Sequence, residues 1–132
     1  VFEQFANQLS DDQQHTLQRF LRLQAKGSTQ PREVIKQLAE QIAEQHPPHA
    51  DALKAGLACL LNWDLREQLA ALTCPLQVIL GEKDNLIPLS IKERLPDYQP
   101  NARIDVMMGL GHAPFISDAE KCQSLIDQFI HE

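Results

Sequence analysis

Apolar residues recur three and four positions apart through the first sixty residues of this chain, then gather into short continuous runs after Thr73. The first spacing is that of one face of a helix; the second is that of buried strands. Ser10-Asp11-Asp12-Gln13 has the form of a capping box with two carboxylates in the first turn, and it predicts a helix start. Leu17, Phe20 and Leu21 supply that helix with an apolar stripe, and Gly27 is placed to end it. Pro31 suits the first turn of a second helix, with Val34, Ile35, Leu38 and Ile42 on one side and Pro47-Pro48 closing it. A third helix is predicted over residues 50–61, where Leu53, Leu57 and Leu60 share a face, and a short fourth from Asp64 to Ala70.

Beyond Thr73-Cys74-Pro75 the pattern becomes mixed. Leu76-Gln77-Val78-Ile79-Leu80, ending in Gly81, reads as a strand, and so does Arg103-Ile104-Asp105-Val106-Met107. Between them, residues 89–95 read as a helix and Pro96 to Asn101 as a turn-rich connection. Ser117-Asp118-Ala119-Glu120 has the form of a second capping box. It opens a terminal helix whose apolar side is Cys122, Leu125, Ile126, Phe129 and Ile130. Strand, helix, strand, helix implies two parallel strands joined by a right-handed crossover. Parallel sheets are covered on both faces, and two strands do not make a stable one. The expectation is therefore an α/β fold whose remaining strands lie before Val1. The opening Val1-Phe2-Glu3-Gln4-Phe5, which has no Met, agrees with that reading.

Composition narrows the classes. With 132 residues, 43% hydrophobic and 23% charged, the chain has an ordinary globular balance. No apolar run approaches the roughly 20 residues of a membrane span. The net charge of −6 argues against nucleic-acid binding over the whole surface, and no membrane partner is expected. Cys59, Cys74 and Cys122 lie far apart and are odd in number, which reads as reduced thiols of a cytoplasmic protein. No metal-ligand spacing is found. His46-Pro-Pro-His49 is the nearest approach, and its double Pro reads as a turn between helices.

Two loops carry the candidate chemistry. Gly81-Glu82-Lys83-Asp84-Asn85-Leu86-Ile87-Pro88 follows the first strand, and Gly109-Leu110-Gly111-His112-Ala113-Pro114-Phe115 follows the second. The C-terminal edge of a parallel sheet is where ligands and catalytic groups sit. An acid after one strand and a His after the next suit nucleophilic hydrolysis. A Ser hydroxyl becomes a competent nucleophile when an imidazole takes its proton, and a buried carboxylate holds that imidazole in one tautomer. Asp84 and His112 are the expected acid and base. Gly109 and Gly111 are expected to let the chain turn sharply so that His112 projects over the sheet edge. A second feature lies upstream: Arg19, Arg22 and Lys26, and then Arg32 and Lys36, recur at helical spacing, and between residues 15 and 38 only Glu33 opposes them. This face is either simply solvated or a docking surface for an acidic partner.

The segment from Leu76 to Glu132 resembles the C-terminal part of the α/β-hydrolase superfamily, whose members often read G-x-x-D-x-x-x-P and later G-x-G-H-x-P-F. The chain departs from many members in lacking a Pro near Asp118-Ala119. More narrowly, nearly the whole chain resembles the BioH-type esterases, which hydrolyse pimeloyl-[acyl-carrier protein] methyl ester in biotin synthesis. Leu9-Ser10-Asp11-Asp12, Arg19-Phe20-Leu21-Arg22-Leu23-Gln24, Asp64-Leu65-Arg66 and His112-Ala113-Pro114-Phe115-Ile116-Ser117 carry that likeness.

The resemblance implies a helical cap over residues 1–72 and the end of the hydrolase core over residues 73–132. It implies Asp84 and His112 as triad acid and base, and no cofactor. It implies substrate contacts from Phe20, Leu21, Arg22, Leu23, Gln24 and His112, with Phe20 and Leu23 foremost for the acyl chain, and carrier-protein docking by Arg19, Arg32 and Lys36. The family's nucleophile elbow, G-x-S-x-G, is not found in these 132 residues, since Ser10, Ser28, Ser90, Ser117 and Ser124 all lack the flanking glycines. The nucleophile is thus expected in a preceding part of the same protein, and the chain alone is expected to be inactive. The alternatives are another α/β hydrolase, such as a C–C bond hydrolase or lipase-like esterase, or a helical binding module without catalysis.

Overall fold

The computed structural model describes residues 13–45 and 49–132. Four helices come first: α1 (Gln13–Ala25), α2 (Pro31–Ala43), α3 (Ala50–Asn62) and the short α4 (Arg66–Ala70). Strand β1 (Gln77–Gly81), helix α5 (Ile91–Arg94), a 3₁₀ turn (Leu95–Asp97) and strand β2 (Arg103–Met107) follow. A single turn, α6 (Pro114–Ser117), leads into the terminal helix α7 (Ala119–Ile130). The capping box at Ser10 and the Pro47-Pro48 pair lie outside the described residues. Gly27 does close the turn after α1, with φ +93°, and Pro31 does sit in the first turn of α2. His49 caps α3, its ring Nδ1 accepting from the Asp51 N–H. Asp64 precedes α4 rather than lying in it. Its carboxylate takes the backbone N–H and the guanidinium of Arg66, and the side-chain bond to Arg66 does most to hold its pKa down to about 2.

The strands pair in parallel, with Gln77 opposite Arg103 and Gly81 opposite Met107. One part of the core joins this sheet to α7: Met107, Leu110 and Cys122 are buried together, with Ile79 and Leu125 packed against them. A second part joins the helical region to the chain just past His112. Ala25 of α1 and Val34 of α2 are buried against Ala113, with Ile35, Leu38 and Ile116 around them. The first two helices thus rest on the segment that presents the His, a contact that neither helix's own periodicity specifies.

Several expectations change. Helix 89–95 is shorter and slides into the 3₁₀ turn, because Pro96 has no N–H to continue an α ladder. Ser117 is not the cap of the terminal helix. It ends α6, and Asp118 caps α7 by accepting from the Lys121 N–H at 3.1 Å. Leu60 at 69%, Ile130 at 68% and Ile126 at 41% exposure do not join the core of the described residues. Among the described residues of their helices, Leu57 and Cys122 are buried. Most residues of β1 and β2 are half-buried, and among the described residues the sheet has these two strands. Among the described residues no helix is long and apolar enough to cross a membrane.

Candidate active site

β1 and β2 end side by side, so the loops that follow them are neighbours by construction. Backbone bonds zip the two together: the Glu82 N–H donates to Met107 O at 3.1 Å and the Lys83 N–H to Leu110 O at 2.8 Å. Gly81 and Gly111 lie back to back at this junction. A Cβ on Gly81 would stand 2.0 Å from the Gly111 carbonyl oxygen. The tight turn of the second loop is at Gly109, with φ +75°. Gly111 serves a different purpose from the one expected, because its φ is not positive. A Cβ there would meet Lys26 O at 2.7 Å and Ser28 N at 3.1 Å, so it is small because the α1–α2 turn lies on it.

Asp84 turns back over its own loop. Its Oδ1 accepts the N–H groups of Leu86 at 2.7 Å and Ile87 at 3.0 Å. Its Oδ2 faces Nδ1 of His112 at 2.9 Å. The carboxylate side chain is 7% exposed and the imidazole 30% exposed. Burial alone pushes the Asp84 carboxyl up. The bonds from Ile87, His112 and Leu86 together outweigh it and hold the group below the usual carboxylate range. An ionised acceptor selects the tautomer in which Nδ1–H donates, which leaves the Nε2 lone pair available. No three His, Cys, Asp or Glu side chains among the described residues group as a metal site.

The turn between α1 and α2 reaches the two loops beside the pair. Asn85 Nδ2 donates to Lys83 O at 2.9 Å and to Lys26 O at 3.3 Å. A Cβ on Gly27 would strike Lys83 O at 2.2 Å, so this glycine satisfies a close approach as well as a left-handed turn. Glu82 also joins the site: its Oε2 accepts the Gly109 N–H at 2.7 Å. Sequence reasoning missed Glu82 and Asn85. Both look like ordinary loop residues, and their partners lie 27 and 59 positions away.

The remaining candidates spread out. Phe20 to Gln24 are consecutive on α1, so they turn through a full circle of the helix and do not share one face. Leu21 is 3% exposed and belongs to the core, Arg22 is exposed, and Phe20, Leu23 and Gln24 are half-buried. Arg19, Arg32 and Lys36 are all exposed. Lys36 lies 4.0 Å from Glu40, a surface pair one turn on that tempers the cationic face.

Solved structures share this fold. An esterase from Exiguobacterium antarcticum superposes with a TM-score of 0.82 at 18% identity, over 99% of this chain and 47% of its own. A bromoperoxidase from Bacillus anthracis does so with a TM-score of 0.84 at 15% identity, over 99% and 48%. At such identities the likeness speaks of fold. That fold, two parallel strands with their helices after a run of four helices, is part of an α/β-hydrolase fold.

The sequence is similar to pimeloyl-[acyl-carrier protein] methyl ester esterases. The one from Pectobacterium atrosepticum is 43% identical over 117 residues, covering 89% of this chain and 46% of the relative. Those from Aeromonas hydrophila and Serratia marcescens are 36% and 38% identical over 130 residues, covering 98% of this chain and 51% of each. The chain spans about half the length of these relatives. No protein-family model matches it.

Proposed function

We propose that this chain supplies the acid and the base of a serine carboxylesterase triad, Asp84 and His112, and that the nucleophilic Ser comes from another part of the same protein. The observation that carries the reading is the 2.9 Å contact between Asp84 Oδ2 and His112 Nδ1, made across the ends of two parallel strands by a carboxylate that backbone N–H groups keep ionised. With Nδ1–H committed to Asp84, Nε2 accepts the Ser proton as the Ser oxygen bonds to the ester carbonyl carbon. The imidazolium, stabilised by Asp84, then gives its proton to the departing methanol oxygen as the ester C–O bond breaks. Water attacks the acyl-enzyme by the same route in reverse, with Nε2 taking its proton and returning it to Ser. No cofactor takes part in this sequence.

The substrate reading is pimeloyl-[acyl-carrier protein] methyl ester, in the biotin pathway of the cytoplasm. It is supported by the names of the relatives and by the exposed cations on α1 and α2. In this reading Arg19, Arg32 and Lys36 meet the acidic carrier protein, and Phe20 and Leu23 touch the acyl chain. The test is hydrolysis of the carrier-linked methyl ester by the complete protein. His112→Ala is expected to lower kcat by several orders of magnitude, on the order of 10³-fold or more. Loss of less than tenfold in a folded variant would refute the assignment of His112 as base.

A further inference from the structure

The His loop is held at one point that the triad itself does not account for. Gly109, in the left-handed region at φ +75°, donates its N–H to the Glu82 carboxylate at 2.7 Å. Glu82 lies between the end of β1 and Asp84, and its own N–H donates to Met107 O. One residue therefore grips the second loop twice: by its backbone at the last residue of β2, and by its side chain two residues later. Lys83 adds a third tie to Leu110. Gly109 has open space around the position a Cβ would take. A bond from an N–H to an ionised carboxylate is among the stronger hydrogen bonds available to a loop.

We infer that Glu82 is a positioning residue for His112: its carboxylate fixes the Gly109 turn and so sets the height and tilt at which the imidazole meets Asp84. The inference rests on the esterase reading for its kinetic consequence but not for its structural one. Glu82 acts through Gly109, three residues before His112. Small displacements of a catalytic group cost rate steeply, up to about 10²-fold for about 1 Å. Loosening a single anchor while the Lys83–Leu110 tie remains is expected to cost less, about five- to twentyfold in kcat.

The experiment compares Glu82→Ala and Glu82→Gln in the complete protein by two readouts. The first is the NMR signal of the His112 Nδ1–H proton bonded to Asp84, which requires no activity. It is expected to stay sharp in Glu82→Gln, whose amide oxygen still accepts from Gly109, and to broaden or vanish in Glu82→Ala. The second is esterase kinetics, where Glu82→Ala is expected to lower kcat with KM within about twofold, and Glu82→Gln to restore most of the rate. If Glu82→Ala does not fold, Glu82→Asp, one methylene too short to reach Gly109, takes its place in both measurements. An unchanged proton signal in the alanine or aspartate variant overturns the inference, as does equal loss in the glutamine variant, which would trace the effect to charge rather than to this bond. Failure of the esterase reading shows separately, as unaltered hydrolysis in His112→Ala, and leaves the proton measurement intact.

Discussion

Replacing Asp84 by Asn in the complete protein changes one atom and reverses one hydrogen bond. The consequence can be worked out atom by atom. Oδ1 accepts two backbone N–H groups, from Leu86 and Ile87, and only an oxygen can do so. In Asp84→Asn the remaining oxygen therefore stays on the loop, and the new NH₂ group is turned toward His112 Nδ1, where Oδ2 stood at 2.9 Å. Two donors cannot face each other, so the imidazole moves its proton to Nε2 and accepts from the amide. In that tautomer Nε2 has no lone pair for the Ser proton.

The expected loss in kcat is about 10³- to 10⁴-fold, or about 4 to 5.5 kcal/mol in the barrier, with KM little altered. The measurement is the pair of steady-state constants on a short aryl ester and on the carrier-linked methyl ester, with the fold checked by circular dichroism. A second consequence concerns acid stability. The Asp84 carboxyl sits below its ordinary range in the folded protein, so its stabilising effect is present above the unfolded pKa and lost as pH falls through the folded one. Asp84→Asn should flatten that part of the stability profile. A folded Asp84→Asn variant within tenfold of the parent rate, beside a His112→Ala variant that is dead, would refute the tautomer argument.

Three further outcomes follow from particular contacts. Gly111→Ala should destabilise the complete protein by about 1–3 kcal/mol in a denaturant titration, because its Cβ would meet backbone atoms of Lys26 and Ser28; a neutral result would mean that the α1–α2 turn yields freely. Asp118→Ala should cost about 1 kcal/mol through loss of the α7 cap, whereas Ser117→Ala, whose buried Oγ has no hydrogen-bond partner, should cost nothing measurable, and the opposite order would restore Ser117 as the cap. Reversing charge at Arg32 and Lys36 together should lower kcat/KM for the carrier-linked ester and weaken its salt dependence, with aryl-ester hydrolysis unchanged. Equal losses on both substrates would point to a disturbed helical region, and no loss on either would leave this face merely solvated.

The amino-acid order by itself determined the elements whose cause is local. The run from Gln77 to Gly81 and that from Arg103 to Met107 are strands because apolar, extended-favouring residues lie between turn residues, and both stand within a residue of where the pattern put them. Parallel pairing followed from the helix between them, and with it the meeting of Asp84 and His112, since adjacent parallel strands release their loops at the same edge. Tertiary structure alone decided what depends on distant segments touching. Gly111 and Gly27 are small because backbone lies against them, Glu82 and Asn85 are anchors because their partners arrive from elsewhere in the chain, and Ala113 is core because α1 and α2 rest on it. The same holds for the faces left open: Leu60, Ile126 and Ile130 share the helical spacing of buried residues, but spacing names only a face. Whether a face is covered depends on what packs against it, and periodicity within one helix carries no information about that.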